Sequence, residues 1–132
     1  MTQATQASTG LYLPAVTLTL QPGEWYAGAV INPDGLIKHH VIAAGMRPNT
    51  ARLTFGKAQK WAADSRLSAP TRQEARLIVA HHAGRLDDLL WFWTCEEHSS
   101  AFAWNCYLDD GDVFYDTRSA QGGAVAVRRV NP

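Results

Sequence analysis

The spacing of apolar residues changes twice along this chain, and that change limits the fold more than any other feature of the sequence. Apolar side chains recur at every second position up to about residue 43, at helical spacing over 54–82, and at every second position again after Gly84. Alternation is typical of strands, and a 3.6-residue period is typical of amphipathic helices. The order strands, helices, strands predicts an α+β domain with a mostly antiparallel sheet rather than a repeated βαβ unit.

The predicted strands are bounded by turn residues. Asn32-Pro33-Asp34-Gly35 predicts a hairpin turn, because proline presets its own φ and glycine accepts a positive φ. A length of 132 residues fits one domain. We therefore expect a flexible tail over 1–10, which is small and polar, and a single domain over 11–132. The strands are predicted at 11–20, 25–31, 36–43, 89–94, 101–108, 113–118 and 124–130.

Two helices are predicted in the middle of the chain. The first follows Thr54 as N-cap. The second begins at Thr71, where Thr71 and Glu74 have the spacing of a capping box, in which side chain and backbone satisfy each other's hydrogen bonds. Their predicted buried stripes are Phe55, Ala58, Trp61 and Ala62 in the first helix, and Ala75, Ile78, Val79 and His82 in the second.

Charge is balanced overall but segregated along the chain. Lysine plus arginine and aspartate plus glutamate each number 12, so we predict neither a nucleic acid nor a membrane as partner. Nine basic residues lie between Lys38 and Arg85, whereas residues 87–116 hold eight acidic residues and no basic one. Two interpretations stay open. The oppositely charged halves pair across the surface, or one of them forms a patch for a cation, a basic partner or an anion.

Asp110-Gly111 predicts a two-residue hairpin turn, since both positions of that turn favour positive φ. In the resulting register Asp109 faces Asp112, and Asn105 faces Asp116. Carboxylates directly opposite each other cost up to roughly 1 kcal/mol, which a cation, a basic side chain, a polar ligand or solvent alone would offset. The predicted core face is Phe102, Trp104, Cys106, Leu108, Val113 and Tyr115. The opposite face gives the candidate ligand-binding residues, namely Asn105, Tyr107, Asp109, Asp112, Phe114, Asp116 and Arg118.

No catalytic or metal-binding motif is found. The glycines do not form a phosphate-binding loop, and the histidine pairs 39–40 and 81–82 point in different directions on a strand or helix. Cys95 and Cys106 lack metal spacing, so we expect two buried thiols, with an inter-strand disulfide as the alternative. Acidic neighbours of Cys95 would raise its pKa and disfavour a nucleophile. The chain is therefore predicted not to be an enzyme and to need no cofactor or metal, a degenerate enzyme being the remaining option.

Several short motifs occur in an order that resembles a known family. They are the segment 23–28, the helix 55–62, Pro70-Thr71-Arg72-Gln73-Glu74, Trp91-Phe92-Trp93-Thr94, 101–104, Gly111 and 126–130. Over residues 23–130 the chain resembles the phage and prophage branch of the domain-of-unknown-function family typified by the C-terminal domain of a bacterial collagen-like adhesin. The resemblance implies a C-type-lectin-like fold, similar to the formylglycine-generating sulfatase-modifying domain, with two helices packed on a small twisted sheet.

The resemblance does not carry over a metal site or a reaction. The calcium-binding lectin pattern W-N-D occurs only as Trp104-Asn105-Cys106, without an E-P-N or Q-P-D partner. The sulfatase-modifying cysteines have no counterpart either. Ala69 stands where the family usually has leucine, and Thr94-Cys95-Glu96 replaces a pair of serines.

What the resemblance implies is a non-enzymatic phage or prophage binding module that recognises a host protein, another host molecule or a small polar ligand. The alternative is a small intracellular inhibitor or sequestering protein that counters a host defence by binding its effector or a nucleotide signal. That role predicts an oligomeric pocket lined by Arg118, Arg128 and Arg129, so a homo-oligomer stays open. Residues 1–20 lack the features of a signal peptide, and we expect a cytoplasmic or virion-associated protein.

Overall fold

Two helices and six strands make up the part of the chain that the computed structural model describes, residues 17–47 and 51–132. The strands are β1 (Trp25–Ile31), β2 (Ile37–Arg47), β3 (Trp91–Glu97), β4 (Phe102–Tyr107), β5 (Val113–Thr117) and β6 (Ala124–Val130). The helices are α1 (Phe55–Asp64) and α2 (Arg72–His81). The α+β class is confirmed. Most of the strand predicted at 11–20 lies outside the described residues, and 17–20 is not strand.

The strands form two antiparallel sheets in place of the single sheet predicted, with orders β1-β2-β6 and β3-β4-β5. The residue just before β6 joins them, because Gly123 exchanges backbone hydrogen bonds with Trp91 (3.1 Å) and Trp93 (3.2 Å) of β3. A Cβ atom on Gly122 would lie 2.2 Å from the Trp91 ring, and one on Gly123 would lie 2.8 Å from the Trp91 carbonyl oxygen. Only glycine allows this close approach.

Helix α2 begins where the capping box predicts. The Thr71 Oγ1 accepts a hydrogen bond from the Glu74 amide at 3.1 Å, and the Glu74 carboxylate accepts one from the Thr71 amide at 2.9 Å. Thr54 is the N-cap residue of α1 as predicted, but its side chain makes no capping hydrogen bond. Of the predicted stripe of α2, Ala75 and Ile78 are fully buried.

The β1–β2 hairpin confirms the turn predicted at 32–35. The Asn32 amide donates to the Leu36 carbonyl at 2.8 Å, and Gly35 has φ +86°. Just after the turn the register slips by one residue, because Val30 pairs with His39 whereas Ile31 pairs with Ile37. Lys38 is therefore the extra residue of a β-bulge, which interrupts the alternation of side chains at that point.

The β4–β5 hairpin differs from the prediction by two residues. Asn105 pairs with Phe114 rather than Asp116, and Asp109 does not face Asp112. The loop is closed by the Gly111 amide, which donates to the Tyr107 carbonyl at 3.0 Å. Gly111 has φ +75°, but Asp110 does not have positive φ; its carboxylate instead accepts from the Asp112 amide at 3.0 Å. The Asp-Gly pair thus serves a wider loop than the two-residue turn.

Each face of the β3-β4-β5 sheet is partly covered, so the predicted core face is right only for Cys106, Leu108 and Val113, which lie in or against the first core cluster. Helix α2 packs against the face that carries Phe92 and Cys106, and α1 packs near the face that carries Trp93 and Ala103. The first core cluster is Ala27, Val30, Val41, Ala75, Ile78, Leu86, Leu89, Phe92, Cys106, Val125 and Val127. The second is Phe55, Ala58, Trp93, Ala103 and Ala124, with Trp91 and, as predicted, Trp61 packed against it. Phe102 and Tyr115, predicted to be core, are exposed.

Candidate functional site

The seven hairpin residues predicted to bind a ligand lie in different environments. Asn105 is fully buried, contrary to the prediction, because α1 and the start of β6 cover its face; its Nδ2 donates to Asp116 at 2.6 Å. Tyr107 is half-buried, and its ring stacks on Trp91. Arg118 is half-buried as well, pairs with Glu97 and lies over the Phe55 ring. Asp109, Asp112 and Phe114 are exposed.

The carboxylates of this set do not gather at one point. Asp112 immediately precedes β5 and Asp116 lies on it, four residues further along an extended chain, which places their Cα atoms about 13 Å apart. Asp109 lies in the hairpin loop, which is outside the paired residues of the hairpin. The binding role assigned to these residues stays a prediction, without the opposed carboxylates that motivated it.

The three arginines of the alternative function are each held by a different carboxylate. Arg118 pairs with Glu97, and Arg128 donates to Glu24 at 2.8 Å. Arg129 makes two hydrogen bonds of 2.7 Å to Glu74. Within one chain these arginines therefore do not line a common pocket.

A different group of basic residues does meet at one place. A cavity of about 430 Å³ opens between β2, the start of α2 and the β3-β4-β5 sheet. We call it the basic cavity, because four of its side chains are basic and one is acidic. It is lined by Val30, Lys38, His39, Thr71, Arg72, Gln73, Arg76, Glu96 and Val113.

Two local features bring the four basic side chains together. The bulge in β2 lets the neighbours Lys38 and His39 both reach the basic cavity, although adjacent residues of a regular strand point to opposite faces. On α2, Arg72 and Arg76 are four residues apart and so lie on the same helix face.

Glu96 is matched by Arg72, so it does not cancel the other positive charges. Its carboxylate accepts hydrogen bonds from the Arg72 amide (2.6 Å) and Nε (3.1 Å). Burial opposes ionisation of Glu96, but these hydrogen bonds outweigh it and hold its pKa below the usual value. Within the described parts of the chain, Lys38 and Arg76 form no ion pair. The basic cavity therefore keeps a net positive charge and favours an anion.

A buried network behind the basic cavity fixes its wall. Glu74 is fully buried and accepts hydrogen bonds from Arg129, from the Thr71 amide and, at 2.6 Å, from the His39 ring. Burial alone would raise the pKa of Glu74, but the hydrogen bonds from Arg129, Thr71 and His39 lower it to about 2. The network joins β2, α2 and β6, so His39 and the first turn of α2 are held in place before any ligand binds.

Four aromatic rings lie next to the basic cavity, on the same sheet face as Val113. We call them the aromatic group: His98, Phe102, Trp104 and Tyr115. His98 stacks on Tyr115 with centroids 3.9 Å apart, and Trp104 packs edge-on against Tyr115 at 5.3 Å. The guanidinium of Arg72 lies 4.4 Å above the Trp104 ring. Arg72 therefore lines the basic cavity and also contacts the aromatic group.

A second cavity, of about 370 Å³, has a different character. Its lining is mostly apolar, with Arg85 as the one charged side chain, 5.3 Å from the centre of the Trp25 ring. The residues are Gly23, Trp25, Ala43, Gly45, Met46, Arg85, Leu86 and Val125.

The described residues contain no group of three or more His, Cys, Asp or Glu side chains placed to hold a metal ion. Cys95 and Cys106 are free thiols, so the disulfide alternative is wrong. Burial raises the pKa of Cys95, and it raises that of Cys106 to about 11, which leaves little thiolate at neutral pH. No described helix is both long enough and apolar enough to cross a bilayer.

The sequence left open a patch for an anion in the basic stretch between Lys38 and Arg85, but it did not identify the residues of the basic cavity. A further signal was the four-residue spacing of Arg72 and Arg76. The bulge at Lys38 has no sequence signature of its own.

Neither a scan against protein-family models nor a search of curated proteins found a match to this chain.

Proposed function

We propose that this protein is a non-enzymatic binding module whose ligand carries a small anionic group, bound in the basic cavity. The observation that carries the proposal is the convergence of Lys38, His39, Arg72 and Arg76 on one cavity whose single carboxylate is already paired. The wider assignment is a C-type-lectin-like domain of the phage and prophage branch of the collagen-like-adhesin family. Two helices and two antiparallel sheets support it.

Binding rather than catalysis is favoured by the state of the polar groups around the cavity. Glu74 is buried and bound by both His39 and Arg129, so it is not free to act as a general base. The raised pKa values of both thiols disfavour a cysteine nucleophile. What the cavity offers is a fixed arrangement of hydrogen-bond donors, with Lys38 and Arg76 available to neutralise a ligand.

Binding of inorganic phosphate and pyrophosphate, measured by calorimetry and by melting temperature, tests the proposal. A ligand that binds only the native state must raise the melting temperature. In the double variant Lys38→Gln/Arg76→Gln we expect the affinity to fall about tenfold or more, since a hydrogen bond to a charged group contributes about 1.5–3 kcal/mol. The dependence of affinity on salt should weaken as well, because two charges are removed.

The matched control is Lys57→Gln/Arg52→Gln. It also removes one lysine charge and one arginine charge, but from exposed positions that do not line the basic cavity. The control should bind phosphate and pyrophosphate like the wild type. Equal affinities in the two double variants, or no binding of either anion to the wild type at millimolar concentration, would refute the proposed function.

A further inference from the structure

The basic cavity and the aromatic group are joined, and their combination narrows the ligand class. Arg72 lines the cavity and lies over Trp104, and Trp104 contacts Tyr115. If a ligand binds with its anionic group in the cavity, the chemical group next to that anion therefore lies within reach of the aromatic group. An anion alone would make no use of these rings.

The aromatic group is not core material. Tyr115 is 48% exposed, Phe102 is 36% exposed, and His98 is exposed as well. Four rings in mutual contact at the surface form a firm platform, because each ring is held by stacked or edge-on neighbours. Such a platform suits a flat, apolar ring system, which gains by stacking whatever its hydrogen-bonding pattern.

We infer that the ligand is a nucleoside monophosphate, with its phosphate in the basic cavity and its base against the aromatic group. This inference rests on the proposed function, since it needs the anion site. In such a ligand one sugar joins the phosphate to a flat base. The phosphate would lie in the basic cavity, the sugar near Arg72 and the base against the aromatic group. A nucleic acid strand does not match, because a strand needs a track of cations along its backbone. Here Lys38 and Arg76 are the cavity cations without an ion pair among the described residues.

Arg72 has a positioning role in this arrangement. Its guanidinium is fixed by Glu96 on one side and by the Trp104 ring on the other. It therefore presents its remaining donors toward the cavity without losing much rotamer freedom on binding, which is the usual advantage of a preorganised site.

The test compares three probes that differ by one group each: inorganic phosphate, ribose 5-phosphate and adenosine 5′-monophosphate. We expect the wild type to bind the nucleotide about tenfold more tightly than ribose 5-phosphate, because only the nucleotide has a base to stack. Tyr115→Leu should abolish that difference and leave the affinity for inorganic phosphate unchanged. Tyr115→Phe should restore it, since the ring is retained.

Phe114→Leu is the matched control. Phe114 is the neighbour of Tyr115 on β5, is 52% exposed, and points to the other face of the sheet. This variant should keep the full preference for the nucleotide. If ribose 5-phosphate and the nucleotide bind equally well to the wild type, or if Phe114→Leu and Tyr115→Leu lose the preference alike, the inference is overturned. Binding of inorganic phosphate would still leave the proposed function standing, whereas its absence would remove both.

Discussion

Replacing Glu74 with glutamine tests how much of the stability of this fold depends on one buried carboxylate. In the native protein its pKa is lowered from 4.5 to about 2, even though burial acts in the opposite direction. As the pH falls below 4.5, the unfolded chain takes up the proton first. The contribution of Glu74 to stability is therefore complete above 4.5 and is lost as the pH falls toward 2.

The magnitude follows from the shift. One pKa unit corresponds to 1.36 kcal/mol, so Glu74 contributes about 3 kcal/mol at neutral pH, of which about 2 kcal/mol is lost by roughly pH 3. Glu74→Gln removes that dependence on pH. The same loss can be estimated from the partners: Arg129 and His39 keep only an uncharged amide, and breaking a buried pair in this way costs about 3–5 kcal/mol.

Urea unfolding followed by tryptophan fluorescence, repeated from neutral pH down to roughly pH 3, measures both effects. The wild-type and Glu74→Gln curves of unfolding free energy against pH should converge as the pH falls. Asp64→Asn controls for loss of a surface carboxylate, since Asp64 is exposed and pairs only with Lys60 among the described residues. If Glu74→Gln is too unstable to measure, Arg129→Gln should flatten the wild-type slope in the same pH range. Parallel curves for wild type and variant would refute the reasoning.

Three further predictions concern stability and thiol chemistry. Thr71→Ala should lower the unfolding free energy by about 1 kcal/mol, because the capping hydrogen bond to the Glu74 amide is lost; an unchanged urea midpoint would count against the cap. Gly123→Ala should destabilise strongly, since its Cβ would meet the Trp91 carbonyl oxygen at 2.8 Å, whereas Gly56→Ala in α1 has open space and should stabilise by about 0.5–1 kcal/mol; equal melting temperatures would contradict this. Cys106 is fully buried with a pKa raised to about 11, so a soluble thiol reagent should modify it only after unfolding, and rapid labelling of the native protein would show an opening that the structure lacks.

Local signals in the sequence were enough for the elements whose structure is set locally. The capping box at Thr71 and the turn at 32–35 depend on residues three or four positions apart, and both formed as predicted. The predicted register of the β4–β5 hairpin was wrong, and the reason is local as well. Asp-Gly fits two kinds of loop, and the bond from the Asp112 amide to the Asp110 carboxylate accompanies the wider one.

The face of β4 could not be predicted from alternation, because alternation distinguishes two faces but does not say which is covered. Asn105 is polar and buried because α1 covers its face. Tyr115 is aromatic and exposed, because on the other face α2 begins only at Arg72, which lies over Trp104. The basic cavity is a long-range feature of the same kind. It depends on Lys38 of β2 and Arg76 of α2 lining the same cavity, which results from the packing of α2 against β1, the hairpin partner of β2.

The contact between Gly123 and β3 has a consequence for how the chain folds during translation. β6 is the last of the described strands to leave the ribosome, yet it pairs with β2 and also closes against β3. A nascent chain that ends before Gly122 leaves β2 with an open edge and the Trp91 ring without the backbone that packs on it. Open strand edges attract other chains, and pairing between distant segments is slow. We therefore expect the two sheets to associate only after the ribosome has released β6. Synthesis of residues 122–130 is then the step that allows folding to be completed in the cell.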